Sequence, residues 1–219
     1  MINKFFNLIL ILIVGCSSHE QKPPKLYLAL GDSYTIGESV EVFERWPNQL
    51  VSELNKKSIV FEQAKIIAKT GWTTGELLNA IEEQQIDESY DLVTLMIGVN
   101  NQYRGLSIEN FKEEFTVLLK KAITFSKKNE TGVVVLSIPD WGVTPFASDR
   151  DQNKIAEEID QFNAVISQVC SNYKVPYIDV TDISRQVTSQ PNLVAQDGLH
   201  PSSIMYSLWI KKVLNYITN

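Results

Sequence analysis

The strongest constraint on the fold of this chain is an alternation of short apolar runs with segments of helical periodicity. The apolar runs are rich in Val, Ile and Leu and are predicted as strands; they are Leu26–Leu30, Ile59–Ala68, Leu92–Ile97, Val133–Ile138 and Pro176–Val180. Strands that alternate strictly with helices form a parallel sheet with helices packed on both faces. We therefore expect one α/β domain with three layers, helix, sheet and helix, over residues 26–219.

Helix signals lie between the predicted strands. Thr73 and Glu76 have the spacing of a capping box at a helix start. Two long amphipathic helices have apolar positions that run from Ile108 to Ala122 and from Ile155 to Val169. Pro201 is predicted to open the last helix, because proline suits the first helical turn.

The N-terminal segment differs from the rest of the chain. Lys4 precedes an apolar run, Phe5–Val14, which is too short to span a bilayer and is typical of the core of a signal peptide. The run ends in Gly15-Cys16, which resembles the lipobox of bacterial lipoproteins. We expect residues 1–15 to be a signal peptide, Cys16 to carry lipid and residues 16–25 to form a polar tether. The alternative is an ordinary secretory signal in which Cys16 is incidental.

Lipidation would make this an exported lipoprotein of the cell envelope, anchored to a membrane and not spanning it. The net charge is −6, with no long run of Lys or Arg, so nucleic acid is not an expected partner. If Cys16 carries lipid, Cys170 is the only thiol left and no internal disulfide is possible. No Cys/His cluster has zinc spacing and no glycine-rich phosphate loop occurs, which predicts neither a metal nor an organic cofactor.

Polar motifs follow the predicted strands. In a parallel sheet, the loops beyond the carboxyl ends of the strands carry ligand sites. Those loops contain Gly31-Asp32-Ser33, Thr70-Gly71-Trp72, Gly98-Val99-Asn100-Asn101 and Pro139-Asp140-Trp141, and the loop before the last helix contains Asp197-Gly198-Leu199-His200. Their chemistry is therefore expected to converge at one edge of the sheet.

Three of these side chains match the needs of nucleophilic catalysis. A serine hydroxyl such as that of Ser33 becomes a good nucleophile only when a neighbouring base removes its proton. His200 is the natural base, because the only other histidine, His19, lies in the tether. Asp197 lies three residues before His200, and Gly198 permits a tight turn, so the carboxylate is expected to orient the imidazole.

Taken together and in this order, the motifs closely resemble the SGNH (or GDSL) hydrolase family, which is named for a serine, a glycine, an asparagine and a histidine in four separate blocks. The resemblance covers the whole predicted domain and implies a flavodoxin-like five-stranded parallel sheet. It also implies an oxyanion hole made by the backbone N–H groups of Ser33 and Gly71 and the side-chain amide of Asn100. Two positions depart from the usual family pattern: Tyr34 replaces a leucine, and Asn101 replaces an aspartate that usually supports the loop.

Several aromatic residues lie in or near these loops and are predicted either to line a substrate pocket or to pack locally: Tyr34, Trp72, Tyr103, Trp141 and Phe146. They favour lipidic or aryl acyl esters, cleaved through an acyl-enzyme as in lysophospholipases, arylesterases and thioesterases. A carbohydrate O-acetylesterase is the alternative activity, and a non-catalytic ligand-binding lipoprotein is the alternative of another class.

Overall fold

A computed structural model describes residues 22–218 of the chain. The predicted signal peptide, Cys16 and most of the tether lie outside the described residues. Between residues 22 and 218, no helix combines the length and the apolar character needed to cross a membrane.

Five strands form a single parallel sheet. They are Tyr27–Gly31 (β1), Lys65–Ala68 (β2), Leu92–Met96 (β3), Val133–Leu136 (β4) and Tyr177–Ile178 (β5). Their spatial order is β2-β1-β3-β4-β5, which is the flavodoxin-like order, and the predicted fold is confirmed. Strands β1, β3 and β4 are buried at every position, which explains why their sequences are nearly continuous apolar runs.

Eight α-helices accompany the strands in the described part of the chain. They are Ser33–Ile36 (α1), Trp46–Lys56 (α2), Thr74–Glu83 (α3), Val99–Tyr103 (α4), Ile108–Phe125 (α5), Gln152–Asn172 (α6), Thr181–Ser184 (α7) and Ser203–Thr218 (α8). Helix α2 packs against α8 on one face of the sheet, whereas α3, α5 and α6 pack side by side on the other. The capping box of Thr73 and Glu76 at the start of α3 is present as predicted.

The strand order opens a crevice next to β1 and β3. The chain leaves β1 towards β2 and leaves β3 towards β4, so the two connections run in opposite directions. The carboxyl ends of β1 and β3 lie side by side, with Gly31 opposite Met96. Ligand sites of open α/β sheets form at this type of switch point.

The second predicted strand is too long. The structure retains only Lys65–Ala68, which pair with Leu28–Gly31 of β1. Upstream of it, Phe61 forms one isolated bridge with Lys25, and Ser58 adopts a left-handed conformation (φ 62°) that turns the chain after α2. The apolar run is longer than the partner strand that is available for pairing.

The predicted start of the last helix is two residues early. Helix α8 begins at Ser203, because Pro201 forms an antiparallel bridge with Val194. The hydroxyl of Ser202 accepts a hydrogen bond from the backbone N–H of Met205 (3.3 Å), which satisfies one N–H of the first helical turn. The proline therefore helps to define the loop before the helix.

Cys170 lies inside the core, near the end of the amphipathic helix α6. Its side chain is fully buried on α6, and burial raises the pKa of its thiol to about 12. A thiol that stays protonated in an apolar environment is a packing residue and a poor nucleophile.

Candidate active site

Ser33 is the first residue of α1, immediately after β1. The chain can turn this sharply because residue 31 is glycine: a Cβ there would overlap Thr35 Oγ1 and the carbonyl oxygen of Met96. Asp32 caps the short helix, since its Oδ1 accepts the backbone N–H of Tyr34 (3.0 Å). The turn holds Ser33 at the carboxyl end of the sheet.

The loop that contains Asp197 and His200 is built around one carboxylate. Asp197 Oδ1 accepts the backbone N–H groups of Leu199 and His200, both at 3.0 Å, and Asp197 Oδ2 lies 2.5 Å from His200 Nδ1. The turn needs the glycine at position 198, whose φ is +73°. Ser39 donates a further hydrogen bond to Asp197 Oδ2 (2.7 Å).

These contacts set the charge of Asp197. Partial burial alone would raise the pKa of this carboxyl. Hydrogen bonds from His200, from Ser39 and from the backbone of Leu199 and His200 outweigh burial and hold the pKa well below its usual range. The carboxylate therefore stays ionised beside the imidazole at all ordinary pH values.

The sequence-predicted residues meet in one cleft with a volume of about 240 Å³. The residues that line it are Ser33, Tyr34, Thr70, Gly71, Val99, Asn100, Tyr103, Trp141, Phe146, Leu199 and His200. Asp197 contacts the imidazole through Nδ1. The structure thus brings together the residues predicted as nucleophile, base and oxyanion donors, although they come from four separate loops.

Side chains of the segment that begins at Asn100 donate hydrogen bonds to the loop around Gly71. Gly71 has a φ of +85°, and its carbonyl oxygen accepts a hydrogen bond from Arg104 Nη2 (2.5 Å). The next carbonyl, that of Trp72, accepts one from Asn100 Nδ2 (2.9 Å). Arg104 also pairs with Glu76 on α3 (3.3 Å). Two successive carbonyls of the loop are therefore fixed by side chains that follow β3.

Asn101 supports the same loop without a carboxylate. It is fully buried; its Oδ1 accepts the backbone N–H of Thr74 (3.0 Å) and its Nδ2 donates to Thr74 Oγ1 (2.7 Å). The Thr74 hydroxyl in turn donates to Glu114 on α5. Asparagine at this position therefore anchors the start of α3, and the departure from the usual aspartate does not leave the loop unsupported.

Three aromatic rings form one wall of the cleft. Trp141 lies edge-on to Tyr103 (ring centroids 5.3 Å apart) and to Phe146 (6.1 Å). Trp141 is 4% exposed and its Nε1 donates to Gln102 Oε1 (2.8 Å), whose amide donates to Glu158 on α6 (2.7 Å). Tyr103 and Phe146 are 49% and 42% exposed. The inner ring is fixed and the two outer rings are open to solvent.

Tyr34 packs under the histidine. Its ring is 4% exposed and lies edge-on to His200 (5.8 Å) and to Trp209 (6.5 Å). Burial, followed by the negative charges of Asp32, Asp140 and Asp197, raises the pKa of its hydroxyl. Tyr34 therefore lines the cleft as a neutral ring with a protonated hydroxyl.

Trp72 is not among the residues that line the cleft, and of the two roles predicted for it the structure favours local packing. Its ring is partly buried against the hydrophobic core, and the residue faces the site through its backbone carbonyl. Gly71, the residue before Trp72, has a left-handed conformation, and Thr73, the residue after it, caps helix α3.

Asp140 is a further carboxylate near the cleft, and its partners differ from those of Asp197. It is 1% exposed, accepts the backbone N–H of Gly142 (2.9 Å) and pairs with Arg185 Nε (2.9 Å). Asp197 therefore remains the carboxylate that contacts the imidazole.

Sequence reasoning missed several residues of the site. Thr70, Val99 and Leu199 line the cleft and lie inside or beside the quoted motifs, so their proximity could have been inferred. Ser39 had no such signal, since its partner lies 158 positions away. Within residues 22–218, no group of three or more His, Cys, Asp or Glu side chains is arranged to hold a metal ion.

Comparison with known proteins agrees with this geometry. The sequence model of the GDSL-like lipase/acylhydrolase family matches residues 29–208. An arylesterase from Vibrio mimicus is 26% identical over 196 residues, which cover 89% of this chain and 88% of that protein. An acetylxylan esterase from Geobacillus stearothermophilus is 25% identical over 142 residues, which cover 61% of this chain and 62% of that protein, less than two thirds of its length.

The fold has close structural neighbours as well. The crystal structure of TesA superposes with a TM-score of 0.70 at 18% identity and covers 88% of this chain and 98% of that one. At 18% identity the superposition supports the fold alone. The family model spans most of the chain, and its residues 29–208 include both Ser33 and His200. The chain belongs to the GDSL-like lipase/acylhydrolase family and is a carboxylic ester hydrolase.

Proposed function

We propose that this protein hydrolyses esters through an acyl-enzyme formed on Ser33, with His200 as general base and Asp197 as the residue that orients it. One observation carries the proposal: Ser33 and His200 line the same cleft, and Asp197 holds the imidazole through Nδ1. That contact leaves Nε2 as the nitrogen available for proton transfer.

The reaction follows from these roles. Ser33 Oγ attacks the ester carbonyl carbon while His200 Nε2 takes the hydroxyl proton. The tetrahedral intermediate collapses, the C–O bond to the alcohol breaks, and the imidazolium returns the proton to the leaving oxygen. Water then attacks the acyl-enzyme, again with His200 as base, and releases the acid. The ionised Asp197 stabilises the imidazolium that forms in both halves of the reaction.

The oxyanion would be received by the backbone N–H groups of Ser33 and Gly71 and by the amide of Asn100. Asn100 Nδ2 carries two hydrogens, and its bond to the Trp72 carbonyl uses only one of them. That bond orients the amide and leaves the second hydrogen for the substrate. The loss of one such donor typically costs about 3 kcal/mol of transition-state stabilisation.

The cleft favours small acyl or aryl esters. Its volume of about 240 Å³ lies below the roughly 300–1,000 Å³ of drug-sized ligand pockets, and its wall is aromatic. We propose aryl and short-chain or medium-chain acyl esters as substrates. Long acyl chains would extend past the rim.

A carbohydrate O-acetyl ester is the second candidate substrate. Tyr103 and Phe146 are half exposed at the rim, where an aromatic face can pack against a sugar ring. The similarity to an acetylxylan esterase supports this candidate. The two substrate classes differ in the acyl group that they require.

The mechanism is tested with nitrophenyl esters from acetate to dodecanoate, together with acetylated xylo-oligosaccharides. We expect Ser33→Ala to lower kcat on the order of a million-fold, and Ser171→Ala, at an exposed position of α6, to leave it unchanged. Equal turnover by Ser33→Ala and wild type, with matching circular dichroism spectra, would overturn the serine mechanism. Turnover confined to acetyl groups would select the carbohydrate esterase.

We also propose that the protein is exported and lipid-anchored through Cys16, because the cysteine follows an apolar run and a small residue. Expression of wild type and Cys16→Ser in a bacterium, followed by membrane fractionation and metabolic labelling with a fatty acid, tests it. We expect label and membrane association only in the wild type. A labelled Cys16→Ser protein, or an unlabelled wild type, contradicts the proposal.

A further inference from the structure

Ser39 adopts a backbone conformation that serine usually avoids. Its φ is 65°, in the left-handed region, two residues after Gly37, whose φ is 70°. Glycine accepts this conformation readily, but a residue with a Cβ is strained there. Such strain persists where the surrounding structure imposes it, and it is frequent at functional sites.

The side chain of Ser39 contacts the carboxylate that holds the base. Ser39 Oγ donates to Asp197 Oδ2 (2.7 Å), and the same oxygen lies 2.5 Å from His200 Nδ1. A carboxylate only accepts hydrogen bonds, so the proton in the first contact is that of the serine hydroxyl. Asp197 Oδ2 is therefore fixed from two sides, by the imidazole and by Ser39.

The turn that carries Ser39 also belongs to the nucleophile segment. The backbone N–H groups of Gly37 and Glu38 both donate to the carbonyl oxygen of Ser33 (3.0 and 3.1 Å). The Glu38 side chain accepts a hydrogen bond from the hydroxyl of Thr70, next to Gly71. One short turn thus joins the nucleophile, the loop of the proposed oxyanion donor and the loop of the proposed base.

We propose that Ser39 is a positioning residue for ester hydrolysis, which fixes the Asp197 carboxylate against His200 and ties the base loop to the segment of Ser33. This inference rests on the proposed function of Asp197 and His200. Ser39 need not touch the substrate. Its hydroxyl restricts the rotation of the carboxylate, and a restrained carboxylate keeps the imidazole aligned when it accepts the proton.

Two substitutions at position 39 distinguish the effect of the hydroxyl from the effect of the strained backbone conformation. Ser39→Gly removes the hydroxyl and relieves the strain, whereas Ser39→Thr keeps a hydroxyl and increases the strain, because a β-branched residue is disfavoured at positive φ. We expect Ser39→Gly to have a higher thermal midpoint than Ser39→Thr but a kcat about tenfold below that of wild type, with KM within about twofold. Ser39→Thr should keep kcat within about threefold of wild type.

In this outcome kcat depends on whether the side chain at position 39 has a hydroxyl, whereas the thermal midpoint depends on whether the residue tolerates positive φ. A residue with a purely structural role in the turn would not separate the two quantities in this way. The same Ser39→Gly change in an Asp197→Asn background should have less than a twofold effect on the residual kcat, because the carboxylate that Ser39 positions is no longer there. A wild-type kcat for Ser39→Gly, a Ser39→Thr variant as slow as Ser39→Gly, or an undiminished effect in the Asp197→Asn background would each overturn the proposal.

The failure of this inference is distinguishable from the failure of the proposed function. Ser33→Ala is assayed in the same series. If Ser33→Ala is inactive and Ser39→Gly matches wild type, only the role of Ser39 is refuted. If Ser33→Ala remains active, the acyl-enzyme mechanism itself is refuted.

Discussion

Two aspartates flank the site, and their carboxyl groups have opposite properties. Asp32, directly before Ser33, is 1% exposed, and burial raises its pKa to about 7 in spite of hydrogen bonds from backbone N–H groups. Its Oδ2 has no hydrogen-bond partner among residues 22–218. Asp197 has a pKa well below the usual range, since its two oxygens receive His200, Ser39 and two backbone N–H groups.

The difference shows that the balance between burial and the donors facing the charged form decides the charge of each group: burial dominates at Asp32, and hydrogen bonds dominate at Asp197. The turn before Ser33 holds a carboxyl group that is readily neutralised and acts as a helix cap. The loop of Asp197 and His200 holds a permanent anion, which is what the imidazolium of the proposed mechanism requires. The two loops are therefore sensitive to different changes, and the following predictions test that contrast.

The largest effect is expected for the loss of the Asp197 charge. Asp197→Asn keeps the size of the side chain but removes the anion and disturbs the imidazole tautomer, so kcat should fall on the order of 10⁴-fold on nitrophenyl acetate. Asp87→Asn, at an exposed position, is the control and should be unchanged. A loss below tenfold in a folded Asp197→Asn variant would show that the carboxylate does not serve the base.

A smaller effect, on stability, is expected from Asp32. Its pKa in the folded state (about 7) exceeds the ordinary value of 3.8, so between pH 4 and pH 7 the folded protein holds a proton that the unfolded chain has lost. This group therefore makes the protein less stable as pH rises through that window, by on the order of 2–4 kcal/mol. Below pH 4 the effect vanishes, and above pH 7 it is constant.

Urea denaturation of wild type and Asp32→Asn at a series of pH values measures this contribution. The difference in the free energy of unfolding between the two proteins should shift in favour of the variant from pH 4 to pH 7. Asp197 acts in the opposite sense: its lowered pKa contributes stability above about pH 4, which is lost as the pH falls further. A pH-independent difference between wild type and Asp32→Asn would contradict the assignment.

The smallest effect, again on stability, is expected at Asn101, the amide that stands where the family usually has an aspartate. Asn101→Asp would create a second buried carboxyl that competes with Glu114 for the single hydroxyl hydrogen of Thr74. We expect it to reduce the free energy of unfolding by about 1–2 kcal/mol at pH 8, and by less at pH 5, where the new carboxyl can retain a proton. Asn153→Asp, at an exposed position, serves as the matched control; equal stability of the two variants would refute the competition.

The sequence predicted the parts of the fold whose signals are local. The apolar runs gave β1, β3 and β4 to within two residues, and the capping box gave the start of α3. The errors occurred where a distant partner sets the boundary. β2 is short because pairing with β1 is limited to Lys65–Ala68, and the start of α8 is displaced because Pro201 pairs with Val194.

The same distinction applies to the site. Each motif could be found in the sequence because its residues are neighbours along the chain, and the parallel topology brings the motifs together. Ser39 and Arg104 could not be found, since each acts on a loop far away in sequence. The role of Trp72 also stayed open between pocket lining and local packing, because the motif alone does not fix which way a loop side chain points.

The hydrogen bonds that hold the Trp141 ring determine which residues of the cleft can be altered. Its ring is connected through Gln102 to Glu158, which lies on a helix of 21 residues, so the back of the cleft shares the rigidity of a long scaffold element. Tyr103 and Phe146 have no such attachment among the hydrogen bonds of the described residues. Redesign of the proposed substrate cleft can therefore begin with these two outer rings, which can be enlarged, trimmed or made polar while the inner ring and its support stay intact.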